Sequence, residues 1–126
     1  MRAVEIAGVV HEFECNAFTP FIYAEEFTVT RKGKQVHEDI NAAIDEIMAF
    51  MKEHDFPPML KLLQFFWAFE KTANPKVPRF KEWLKKLPRS ALNLNDEGGW
   101  AKAVMSEIND AFFPGAPDSD VDAEAE

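Results

Sequence analysis

Cysteine is almost missing: Cys15 is the single thiol in 126 residues. One cysteine excludes an internal disulfide framework, and with it the small secreted scaffolds that depend on one. No apolar run approaches the ~20 residues that a membrane-spanning helix needs. The opening stretch, MRAVEIAGVVHEFEC, reaches an acid at Glu5 and lacks the apolar core and small-residue cleavage site of a secretory signal. A soluble cytoplasmic protein is expected. Basic residues are the minority, 14 Lys+Arg against 22 Asp+Glu, for a net charge of −8. Neutralising phosphates takes clustered Lys and Arg, so neither a nucleic acid nor a membrane is an expected partner.

Catalytic signatures are missing too. There is no phosphate-cradling glycine loop and no G-x-S-x-G elbow. The histidines are His11, His37 and His54. His37-Glu38 begins like a metalloprotease motif, but Asn41 stands where the second histidine would be. His11 and Cys15 share a strand face and would need two further ligands to hold a metal. Cys15 reads as a core thiol, because a nucleophile needs a depressed pKa and a base beside it. The adjacent acids Glu25-Glu26, Glu38-Asp39, Asp45-Glu46 and Asp96-Glu97 are sequence neighbours. Acid–base chemistry needs carboxyls that converge across a cleft, so these read as solvated faces. No enzyme, cofactor or metal site is expected.

Hydrophobic residues make up 47% of the chain and aromatics 13%, a globular composition. The length suits one domain, here residues 1–115. The final segment, APDSDVDAEAE, places five acids and no base in residues 118–126, which leaves −3 for residues 1–117. With one sizeable apolar group, Val121, residues 116–126 cannot offset their ordering entropy and are predicted to be a disordered acidic tail.

Residues 3–15 read as a hairpin around Gly8, with Val9, His11, Phe13 and Cys15 alternating against Val10, Glu12 and Glu14. Thr19 as cap and Pro20 as first helical residue predict a short helix over 20–27. Residues 28–36 read as a basic loop with room for a short strand. Ile40, Ala43, Ile44, Ile47, Met48 and Met51 mark an amphipathic helix over 37–54, closed by Asp55 and Pro57-Pro58. Residues 59–73, MLKLLQFFWAFEKTA, form a helix apolar on all but the narrow face of Lys61, Gln64, Ala68 and Lys71. Its apolar arc is about twice the ~100° of an ordinary surface helix, so it lies at the centre of the fold or covers a partner. A short helix over 79–87 carries Phe80, Trp83, Leu84 and Leu87 in a stripe. A last helix, capped by Asn95 with Asp96 and Glu97 behind it, buries Trp100, Ala103, Val104, Ile108, Ala111 and Phe112. The fold class is α+β, mainly α: an N-terminal hairpin followed by four to five packed helices.

Residues 76–89 are the electrostatic contrast, with six bases against Glu82, net +5. Phe80 and Trp83 interleave with the bases, a pattern compatible with single-stranded nucleic acid. The competing reading is an amphipathic helix with a solvated basic back and its aromatics in the core.

Phe13, Ala17, then Thr19-Pro20-x-x-Tyr23 and Phe27 are followed by an amphipathic helix, the hydrophobic run Phe65–Ala73, the Phe80-x-x-Trp83-Leu84 unit and Trp100. This order resembles the tail assembly chaperones of long-tailed bacteriophages and prophages, over roughly residues 10–113. Many members carry Arg directly after the tyrosine, where this chain has Ala24, and a Gly- or Lys-rich stretch that here comes later, at Arg31-Lys32-Gly33-Lys34. The resemblance implies a non-enzymatic role: holding the aggregation-prone tape measure protein and contacting tail tube protein. It also implies a second, longer product made by programmed frameshifting near the gene's end. On that reading Phe65, Phe66, Trp67, Phe69, Phe80, Trp83, Trp100, Phe112 and Phe113 are candidates for core or partner-binding surface, with self-association left open. The alternative is a small nucleic-acid-binding or regulatory phage protein that uses residues 76–89.

Overall fold

The computed structural model describes residues 1–94 and 99–114. The capping expected of Asn95, Asp96 and Glu97 and the tail expected over 116–126 lie outside the described residues.

Strands β1 (Arg2–Ile6) and β2 (Val9–Phe13) pair antiparallel from Arg2↔Phe13 to Ile6↔Val9. Ala7 and Gly8 form the turn at φ 51° and 84°. Two consecutive positive φ values make it the primed turn whose twist matches a two-residue hairpin. Helix α1 (Thr19–Glu26) follows, with Pro20 in its first turn as expected. Thr19 is not the cap. Phe18 takes that position, and Asn16 accepts from the Phe18 N–H at 2.8 Å. Thr19 is instead fully buried, its hydroxyl accepting from the Asn16 N–H at 3.0 Å and meeting Thr72 Oγ1 at 2.8 Å.

The segment expected as a basic loop is a complete second hairpin, β3 (Thr28–Arg31) with β4 (Lys34–His37). Lys32 and Gly33, at φ 52° and 77°, repeat the primed turn. β-Branched Thr28, Val29 and Thr30 favour the extended backbone beside it. Helix α2 (Ile40–His54) consequently begins later than expected. Asp39 caps it by accepting from the Asn41 N–H at 3.0 Å, and Asp55 ends it in the left-handed conformation, φ 62°.

Helix α3 (Met59–Ala73) has the expected bounds. Helix α4 (Phe80–Lys85) is shorter than the 79–87 expected, and the connection after it contains a 3₁₀ turn, Arg89–Leu92. Helix α5 (Trp100–Phe112) closes the described chain, with Gly99 at its N-cap. The architecture is α+β and mainly α.

α3 is the central element. It packs against α1 and β2 on two sides and also touches α2, α4 and α5. This accounts for its wide apolar arc: nine consecutive positions bar one, Leu62, Leu63 and Phe65 to Glu70, are buried. Around it the core is aromatic. Phe66 meets Phe13 edge-on at 5.4 Å and stacks on Trp100 at 5.3 Å, while Phe27 meets Phe80 edge-on at 5.0 Å. Such pairs add about 0.5–1.5 kcal/mol each beyond their buried area. Two indoles also hold connections in place: Trp67 Nε1 donates to the Pro78 carbonyl and Trp100 Nε1 to that of Ala91, both at 2.8 Å.

Candidate interaction surface

Seven of the nine aromatic candidates belong to the core. Phe65, Phe66 and Phe69 are fully buried, and Trp67, Phe80, Trp83 and Trp100 nearly so. The physical reason is the number of neighbours around α3, which cover its apolar arc from Leu62 onward. Trp67 and Trp83 still reach the walls of surface clefts. Phe112 is half-buried and packed on the core, and Phe113 is exposed. Phe80 and Trp83, the rings on which nucleic-acid bases would stack, are buried, while Lys81, Lys85 and Lys86 are exposed.

Apolar surface does appear elsewhere. Phe18 and Phe21, 58% and 53% exposed, stack with ring centroids 5.2 Å apart at the start of α1. They stand three residues apart, on one helix face. Beside them a cleft of about 480 Å³ runs between α1, the end of α3 and the following loop, lined by Phe18, Ile22, Trp67 and Pro75 among others. Its rim is charged and well anchored. Arg79 Nε donates to Glu26 Oε1 at 3.2 Å, and Glu26 Oε2 accepts the Phe80 N–H at 3.1 Å. Lys71 Nζ donates to the Val77 carbonyl. A smaller patch lies at the α2–α3 corner, where Phe56 and Leu60 are exposed and Phe50 packs on His54 at 4.1 Å.

Phe18 and Phe21 were not among the sequence candidates. The available signal was crowding: Phe18, Phe21, Ile22 and Tyr23 are more apolar bulk than one side of a two-turn helix can bury. Tyr23 takes the inward position and is fully buried.

His11 Nδ1 lies 2.7 Å from Glu70 Oε2, His37 Nδ1 lies 2.7 Å from the Ala24 carbonyl, and His54 sits among Phe50 and Phe56. Among the described residues no group of three or more His, Cys, Asp or Glu could hold a metal ion. Cys15 is half-buried; burial raises its thiol pKa, the Glu107 charge adds to this, and a hydrogen bond with Thr19 opposes it. That shift is opposite to what a nucleophile requires. A buried polar cluster surrounds Glu38. Glu38, 2% exposed, receives both Lys61 Nζ (3.0 and 3.2 Å) and the Tyr23 hydroxyl (3.4 Å), which also donates to Gln64 at 3.0 Å.

Among the described residues no helix is long and apolar enough to cross a membrane. Comparison with protein-family models, with curated proteins and with solved structures finds no match to this chain.

Proposed function

We propose that this chain is a non-enzymatic tail assembly chaperone, acting in the cytoplasm of a bacterial host. It binds the tape measure protein and tail tube subunits of a long-tailed phage or prophage. The Thr19-Pro20-x-x-Tyr23, Phe65–Ala73 and Phe80-x-x-Trp83-Leu84 elements support the family reading by resemblance. The observation that carries the binding role is the exposed Phe18–Phe21 stack beside the α1–α3 cleft. Exposed apolar surface rimmed by charge marks an interaction site. A helical, aggregation-prone client can lay its apolar face against such a patch, as helix-in-groove binding does. The acidic balance of the chain, −8, keeps a protein with exposed apolar surface from associating with itself.

Co-expression with the tape measure and tail tube proteins encoded beside its gene tests the reading. The tape measure protein becomes soluble with the wild-type chain and precipitates with a Phe18→Ser, Phe21→Ser variant. Equal solubility of the tape measure protein with and without the chain would refute the chaperone role.

A further inference from the structure

The β1–β2 hairpin leaves part of one strand edge open, up to Glu14, whose N–H donates to the Phe69 carbonyl at 3.2 Å. Ile6 and Val9 flank a two-residue turn, so Ile6–Val9, Val4–His11 and Arg2–Phe13 are the pairs that exchange ladder hydrogen bonds. The main-chain N–H and C=O groups of Val10 and Glu12 therefore point away from β1. Among the described residues no loop or turn bond takes them up. The side chains of Val9 and Val10 are also uncovered, 58% and 61% exposed.

A groove follows this edge. Val10, His11 and Glu12 all line one cleft of about 370 Å³. Consecutive strand residues alternate between faces, so three in a row bound a single cleft only from the strand's edge. Ala73, Asn74 and Val77 form the opposite wall. A second cleft of about 470 Å³ shares His11, Glu70 and Val77 with the first and continues it toward the end of α4. There the walls are Ile6, Val9, Pro78, Leu87 and Pro88, with Trp83, whose Nε1 has no hydrogen-bond partner among the described residues. The anion in this second cleft, Glu70, is engaged by His11 at 2.7 Å. Its cation, Lys86, is exposed and makes none of the ion pairs found among the described residues. Lys86 belongs to the segment 76–89, which carries net +5.

We propose that this groove binds an extended, acidic segment of a partner protein as a third strand against β2. The open N–H and C=O groups of Val10 and Glu12 select an extended main chain; a helix, whose own groups are bonded internally, leaves them unpaired. The apolar end accepts an alternate side chain of that strand between Val9, Val77 and Leu87. Lys86 selects a carboxylate at this end of the groove, away from Glu12 at the strand edge. This surface is separate from the α1 patch, and its failure or success leaves the chaperone reading untouched.

The test is an amide-resolved NMR titration of the full chain with a synthetic peptide of about ten residues alternating valine and aspartate. A glutamate-only peptide of equal length is the charge control. The alternating peptide moves the Val10 and Glu12 amides and protects them from exchange. Val10→Pro removes an N–H that makes no ladder bond, so the hairpin survives, as circular dichroism can verify. That variant and Lys86→Glu each weaken binding about tenfold or more. Three outcomes overturn the proposal: equal binding of the glutamate-only peptide, no response of these two amides, or indifference to both variants. Protection of the two amides in the free chain also overturns it, in favour of the chain's own acidic residues 118–126 as occupant.

Discussion

Tyr23 is the single tyrosine of the chain, which makes it its own reporter. Its ring packs against Phe27 and Phe65, and its hydroxyl faces Glu38 and Gln64. Burial raises its pKa well above the ordinary value, and the charge and hydrogen bond of Glu38 add to the rise. The folded state thus holds a proton that the unfolded state releases near pH 10, so this contribution to stability is intact below pH ~10 and lost as pH rises beyond it. We expect no tyrosinate absorbance from the folded chain at pH ~11. Absorbance appears only together with unfolding, followed by circular dichroism; independent titration near the ordinary value would show that Tyr23 is not enclosed. The Glu38 carboxylate depends likewise on Lys61. Lys61→Met leaves it buried without its cation and destabilises the fold by about 3–5 kcal/mol in chemical denaturation. Adding Glu38→Gln recovers part of that loss, since a neutral amide is cheaper to bury. Neither relation is visible from sequence, because Glu38 and Lys61 are 23 positions apart.

The secondary structure was legible where one side of a segment is buried and unreadable where none is. α2 and α3 carry continuous buried stripes, and their patterns located them. The β3–β4 hairpin is exposed at almost every position, so no buried face imprints an alternation on its sequence. Its turn chemistry was the remaining clue. Gly8 and Gly33 hold positive φ with open space where a Cβ would stand, so substitution there costs conformational energy without a clash. Gly33→Ala is expected to lower stability by about 1–2 kcal/mol. Asparagine, which tolerates the left-handed region, costs less at the same position. Chemical denaturation of the pair checks the difference; equal losses would point to a steric cause.

The charges of the folded body are bipolar. Residues 35–58 hold six acids and one base, whereas residues 76–89 are net +5. The overall −8 therefore describes neither surface. Among the described residues, exposed apolar side chains pair up on the α1 face, at the α2–α3 corner and at the β2 edge, while Val36, Leu92 and Phe113 are exposed singly. Replacing Phe18 and Phe21 by serine changes stability by no more than about 0.5 kcal/mol per site, since exposed side chains contribute little to the fold. On the proposed chaperone reading, the same variant is expected to lose the ability to keep the tape measure protein in solution. A large loss of stability would instead place those rings in the fold's own packing. Phe66→Ala, in contrast, removes the ring between Phe13 and Trp100 and costs about 3–5 kcal/mol.

Local pattern was enough to define an α+β chain with an N-terminal hairpin, the bounds of α3, and an aromatic surplus that had to be either core or contact surface. Periodicity reports which way a side chain faces about its own axis, and nothing more. What covers that face depends on neighbours remote in the chain. Packing of α1, β2, α4 and α5 around α3 turned Phe65, Phe66, Trp67, Phe69, Phe80, Trp83 and Trp100 into core. The same packing left Phe18 and Phe21 in solvent and brought His11 to Glu70 across 59 positions, beside an open strand edge.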